Sequence, residues 1–246
     1  SHFMKSVITV TTTLTLCLGA SFASAQGNVL ATRTMACTIN SGYTMADVVE
    51  TASSFEWSDD TAPGFVVMRS KVAAANSLEC DFLFVAYYLS FSDMIEKRGN
   101  FLQRRADSDG RRGLNGVATC SENIRISSVR PANPPPGGAG SIPPLTAVVS
   151  FGCDLNGATV AAAVALANTF GQNVGAGAAV VSRNFGGPSI PFNSQVGMRL
   201  FFPSFPDFGT AFDRLQQNTQ PQDPGNPISC SIGSLCASYL VHQRSN

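Results

Sequence analysis

Two stretches of this sequence open alike. CTINSGYTMADVVETASSF runs from Cys37 to Phe55, and CDLNGATVAAAVALANTF from Cys153 to Phe170. With Thr44 set on Thr159, Val49 meets Val164, Ala52 meets Ala167 and Phe55 meets Phe170 without a gap. Three further segments match in the same order. GFVVMRS from Gly64 matches AAVVSRN from Ala178, which sets Arg69 on Arg183. LSFSDM from Leu89 matches PSFPDF from Pro203, which sets Asp93 on Asp207, and Thr119-Cys120-Ser121 matches Ser229-Cys230-Ser231. Segments matched in one order signify a duplicated unit, and duplication restricts the chain to folds built from two like halves.

Between the halves, RPANPPPGGAGSIPPL from Arg130 to Leu145 is too rich in proline and glycine for a helix or a central strand. The expected division is therefore 26–130 for the first unit, 131–144 for a linker and 145–246 for the second. Residues 1–25 read as a short N-terminal addition, Ser1 to Phe3, followed by a cleavable signal peptide. Lys5 is its positive start, Val7–Ala20 its apolar stretch and Ala23-Ser24-Ala25 its cleavage site. The chain is accordingly expected to be secreted or periplasmic, with no transmembrane segment once the signal is removed.

Each half reads as β-α-β-β-α-β. A strand ending at Cys37 or Cys153 leads to a helix capped by Thr44 or Thr159, with Asp47 completing a capping box in the first half. Strands follow at 65–72 and 82–89, or at 178–183 and 196–202. A second helix is capped by Ser90 with Asp93 or by Ser204 with Asp207, and a last strand begins near Cys120 or Cys230. The fold class is thus α+β, two ferredoxin-like repeats, in which the first and last strands of each repeat are antiparallel neighbours. That neighbourhood predicts disulfides Cys37–Cys120 and Cys153–Cys230, leaving Cys80 and Cys236 either to pair with each other across the halves or to stay free.

The order of elements resembles the dimeric α+β barrel superfamily, in which two ferredoxin-like units press their open sheet faces together. The resemblance implies a pseudo-dimeric barrel packed sheet to sheet within one chain, with any pocket between the sheets or at the barrel mouth. The superfamily includes cofactor-free monooxygenases, isomerases, lyases and haem-binding enzymes, and no motif in this chain selects among them.

Several function classes are excluded by composition. Lys+Arg 16 against Asp+Glu 16 provides no electrostatic footprint for nucleic acid. His2 and His242 are the only histidines, which argues against a metal or haem site built on histidine and against a Ser-His-Asp triad. No GxSxG elbow or phosphate-binding glycine loop is present, and no cofactor is expected. Asp107-Ser108-Asp109-Gly110 opens like a calcium loop but lacks the closing glutamate, so a surface turn is expected.

The candidate ligand-binding residues are Arg69, Arg183, Arg199, Tyr87, Tyr88 and Trp57. Arg69 and Arg183 are read either as a pair that grips a carboxylate or as charges that keep edge strands apart. Asp93 and Asp207 are read as caps. Alternation along FLFVAYYL sends Phe82, Phe84 and Tyr88 to one face of the third strand and Leu83, Val85 and Tyr87 to the other. The expected role is non-enzymatic binding of a small apolar or aromatic ligand, or of a protein partner. The alternative is a cofactor-independent enzyme acting on a small hydrophobic substrate between the two sheets.

Overall fold

A computed structural model describes residues 29–74, 80–107, 114, 116–133, 142–186, 196–217 and 225–244. The signal expected over 1–25, the calcium-like turn beyond Asp107 and most of the linker lie outside these residues. The chain runs β1 (Leu30–Ile39), α1 (Met45–Ser53), β2 (Phe65–Ala74), β3 (Phe82–Tyr88), α2 (Phe91–Asp107) and β4 (Ala118–Asn133). It continues β5 (Leu145–Asp154), α3 (Val160–Val174), β6 (Ala178–Gly186), β7 (Val196–Phe202), α4 (Phe205–Gln217) and β8 (Ser229–Gln243). β4 extends through Pro131 to Asn133 because its last residues pair with Val180 and Ala179 of β6.

All eight strands pair antiparallel in one closed barrel, in the order β1-β3-β2-β8-β5-β7-β6-β4. Closure leaves no free sheet edge. The halves are joined by β2 on β8 and by β4 on β6. The chain is therefore α+β, an eight-stranded antiparallel barrel with four helices outside it.

Residue types account for the helix starts. Thr44 and Asp47 form a complete capping box, with Asp47 Oδ2 accepting from the Thr44 backbone N–H at 2.7 Å. Thr159 accepts from the Ala162 N–H at 3.1 Å. Asp93 and Asp207 occupy cap positions: Asp93 Oδ2 accepts from the Leu89 N–H, and the Asp207 N–H donates to Ser204 Oγ.

Helix ends distinguish the halves. α3 has 15 residues and ends at Gly175, whose φ of 78° is left-handed. α1 has 9 and ends at Ser54, after which the chain leaves the helix. The shortfall is about 9 Å of helix, and it uncovers part of the first half's sheet.

Both expected disulfides are present. Cys37 faces Cys120 across β1 and β4, with Cα atoms 4.0 Å apart, and Cys153 faces Cys230 across β5 and β8 at 4.1 Å. Cys80 and Cys236 are thiols, not a third disulfide. Cys236 is buried on β8 opposite Lys71, whereas Cys80 lies half-buried just before β3.

Side chains separate into three apolar clusters. One lies between the first half's sheet and its helices, around Met68, Phe82 and Met94. Another is its counterpart in the second half, around Leu200, Phe202 and Ala211. The third, inside the barrel, joins Val67, Val85, Tyr87 and Val129.

Candidate functional site

The cavity that α1 leaves uncovered measures about 530 Å3 and lies between the first half's sheet and its helices. It does not lie between the two sheets, one of the two locations that the barrel resemblance implied. Its floor is the helix-facing side of β1, β3 and β4, and Phe55 and Trp57 wall it where α1 has ended. Asn40, Thr119, Ser121 and Glu122 form a polar rim. An apolar cavity of this size with a few convergent polar groups is the usual form of a small-molecule site.

Three polar side chains converge on it. In the β1–β3 register Ala31 faces Tyr88 and Arg33 faces Ala86, so Arg33 and Tyr88 are diagonal neighbours on one face. Arg98 reaches them from α2, its guanidinium 4.8 Å from the Phe101 ring centroid. Burial and the neighbouring Arg98 charge pull the Arg33 guanidinium down to about 10. Burial pushes the Tyr88 hydroxyl up, against the opposing pull of Arg98 and Arg33. The phenol is thus kept as a hydrogen-bond donor beside two cations.

The second half lacks this arrangement. Register sets Arg33 on Val149, Tyr88 on Phe202 and, counting from the Ser90 and Ser204 caps, Arg98 on Phe212. Val149 and Phe202 are core residues there. Gly171 of the longer α3 seats against the sheet, where an added Cβ would come 3.3 Å from Ala179 Cβ. The first half carries the cavity, and in the second half Val149 and Phe202 are packed in the core at the equivalent positions.

Of the residues singled out in the sequence, Trp57 and Tyr88 line the cavity. Arg69, Tyr87 and Arg199 lie on the opposite face of the sheet, inside the barrel. Arg183 joins neither group and is exposed on the outer face. The repeat alignment set Arg69 on Arg183, but the strand register sets it on Ser182. Arg69 pairs with Leu83, and Ser182 pairs with Gly197, the position equivalent to Leu83. A slip of one residue on a strand exchanges the faces.

Arg33, Arg98 and Arg125 were not anticipated. A usable signal existed for Arg33, a lone charge at a helix-facing position of an otherwise apolar or small strand, between Ala31 and Met35. Arg125 carried no such signal, because its same-face neighbours Asn123 and Ser127 are polar.

Behind Trp57 stands His242, with ring centroids 5.4 Å apart. Its Nε2 is buried without a hydrogen-bond partner. Burial lowers its pKa, the Pro63 carbonyl opposes this, and the Lys97 charge adds to the lowering. A base whose folded pKa lies below its unfolded value leaves the unfolded state holding more protons in the window between the two. Stability is therefore full above about pH 6.5 and falls as pH drops toward the folded value. His242→Gln is expected to flatten that part of the stability curve, measured by urea unfolding between about pH 5 and 7. An unchanged slope would assign it to other groups.

By sequence, the chain matches no protein family and no curated protein. Solved structures resemble it in fold. An anthrone oxidase-like protein is 11% identical with a TM-score of 0.46, the match covering 90% of this chain and 97% of that one. A putative chlorite dismutase is 13% identical with a TM-score of 0.44, covering 87% and 96%. A putative monooxygenase from Fusobacterium nucleatum is 7% identical with a TM-score of 0.45, covering 88% and 98%. Among the described residues no helix is long and apolar enough to cross a membrane. The non-enzymatic role expected from the sequence is corrected here, because the cavity gathers two guanidiniums and a phenol on one face of the first half's sheet. The closed eight-stranded barrel with its helices outside agrees with the element order by which the chain resembles the dimeric α+β barrel superfamily.

Proposed function

We propose that the first half of the barrel is an enzyme site for a small, mainly aromatic substrate carrying one ionisable oxygen, and that the second half is its structural counterpart. The observation that carries this reading is the convergence of Arg33, Arg98 and Tyr88 on one cavity, with apolar residues at all three equivalent positions in the other half. Two guanidiniums and a phenol donor, part-buried and held by strand and helix, stabilise an oxyanion better than water does. Phe55, Phe84, Phe101 and Trp57 hold the apolar body. The supported step is transfer of a substrate proton to water at the polar rim beside Glu122, which leaves an enolate or phenolate held by the two guanidiniums and the phenol. Cofactor-independent oxygenation, isomerisation and lyase chemistry share that intermediate.

A haem would need an axial histidine, thiolate, methionine or tyrosine. The lining has no histidine, and its one cysteine, Cys120, is disulfide-bonded, so these residues do not fit a histidine- or thiolate-held haem. No step is routed through one.

Trp57 is the sole tryptophan and lines the cavity, so its fluorescence reports occupancy. Titration with 2-naphthoate is expected to change the emission saturably. Arg33→Gln is expected to weaken binding by about tenfold or more, the scale of one charge-assisted hydrogen bond. Absence of any naphthoate-dependent change in the folded protein would overturn the site. Turnover is then sought by following absorbance and oxygen uptake with hydroxylated two- and three-ring aromatics. Activity retained in Arg33→Gln would remove Arg33 from the reaction.

The two halves are further read as ferredoxin-like repeats, 26–130 and 145–246, joined by a linker. Export with cleavage before Gln26 is consistent with two disulfides in a small chain. The mature N-terminus, determined by mass spectrometry of protein expressed with its leader, tests it.

A further inference from the structure

The barrel interior is not a plain apolar core. Arg69 from β2, Arg125 from β4 and Arg199 from β7 gather in it. Arg69 is 4% exposed. Its guanidinium carbon lies 5.8 Å from the Tyr87 ring centroid and 5.5 Å from that of Phe201, which belongs to the other half, and its Nη2 donates to the Tyr87 hydroxyl. Arg199 Nη1 donates to Ser182 Oγ at 3.0 Å. Gly197 makes room for that serine, since a Cβ there would come 2.9 Å from Ser182 Oγ.

The three cations act on one another. Arg199 is electrostatically coupled to both Arg125 and Arg69. Among the described residues, the other groups acting on Arg125 and Arg199 are the Tyr87 hydroxyl and the thiols of Cys80 and Cys236. Among the described residues the ion pairs are Lys97–Asp93 and Arg104–Asp60, both outside the barrel. The Nε atoms of Arg69 and Arg125 are buried with no hydrogen-bond partner. Burial, followed by mutual repulsion, pulls the Arg125 and Arg199 guanidiniums down to about 10. Buried like charges without an acidic partner are strongly unfavourable unless an anion joins them.

We propose that Arg69, Arg125 and Arg199 form a binding site for a small oxyanion inside the barrel, separate from the aromatic cavity on the other face of the sheet. The planar guanidinium fork suits sulfate and phosphate oxygens, and the free Nε donors of Arg69 and Arg125 supply hydrogen bonds that no protein group takes.

Equilibrium dialysis of the full chain against radiolabelled sulfate, at constant ionic strength set with sodium chloride, tests the site. One saturable sulfate per chain is expected. Arg199→Met and Arg125→Met should each weaken binding at least tenfold. Arg183→Met, the sequence-aligned but exposed counterpart of Arg69, should leave it unchanged, as should Arg33→Gln, which tests the aromatic cavity alone. In sulfate-free buffer Arg199→Met should melt no lower than the parent protein, because it removes a part-buried charge that repels Arg69 and Arg125. If that variant does not fold, Ser182→Ala, which removes the hydroxyl that positions the Arg199 guanidinium, serves instead with a smaller expected loss. Failure of the parent protein to bind sulfate saturably, or equal binding by Arg199→Met and Arg183→Met, overturns the proposal.

Discussion

Replacing Phe202 by alanine is expected to destabilise the protein by about 3–5 kcal/mol, the usual range for a fully buried phenylalanine. Phe202 is 1% exposed and packs edge-on against Phe208 of α4, with centroids 5.4 Å apart. The substitution removes the ring from the second half's core and strips α4 of its main aromatic contact. Chemical denaturation with far-ultraviolet circular dichroism measures the loss. Phe202→Tyr separates packing from polarity: it places in the filled half the residue type that the open half uses at the equivalent Tyr88. Its added hydroxyl would sit among Leu200, Ala211 and Phe208. A buried hydroxyl without a partner costs about 1–3 kcal/mol. A tyrosine variant as stable as the parent would mean that the second half has space or a partner for a hydroxyl, contrary to the filled packing described above.

Removing either disulfide is expected to cost about 2–5 kcal/mol. The loops they close are nearly equal, with separations of 83 and 77 residues. Chain entropy alone would make the two effects differ by less than about 0.1 kcal/mol. Functional consequences should differ. Cys120 lines the aromatic cavity, whereas Cys153 and Cys230 lie in the half that has none. Paired serine substitutions at Cys37 and Cys120 should therefore lower both the melting temperature and naphthoate affinity. The same change at Cys153 and Cys230 should lower the melting temperature and leave affinity within about twofold at temperatures well below unfolding. Equal losses of affinity would show that the halves unfold as one unit or that ligand is held by both.

These variants probe an asymmetry inside a duplicated frame. In the first half Ser54 ends α1 early, Phe55 and Trp57 turn across the opening, and Arg33, Tyr88 and Arg98 face the space. In the second half α3 runs six residues longer, to Gly175, and Val149, Phe202 and Phe212 take the equivalent places. The two halves share their strand pairing and differ in what covers the sheet.

Much of the frame was legible from local chemistry. Thr44 with Asp47, Thr159, Ser90 with Asp93 and Ser204 with Asp207 mark helix starts because a short side-chain oxygen meets a free N–H there. Alternation in FLFVAYYL separated Tyr87 from Tyr88 correctly. The disulfides followed from antiparallel neighbours. The cavity was less legible because it is an absence of helix. Apolar periodicity carries through Phe55, yet α1 ends at Ser53 and Phe55 becomes a cavity wall.

By itself the sequence determined the order of elements, the two halves, their caps and the two disulfides, since each depends on residues close in the chain or on a pattern repeated along it. Tertiary structure decided the faces and the partners. Arg69 and Arg183 align as letters, yet the β6–β7 register sends one into the barrel and the other to solvent, because strand faces alternate at every residue. Arg69, Arg125 and Arg199 come from three separate strands, and only closure of the barrel brings their charges together.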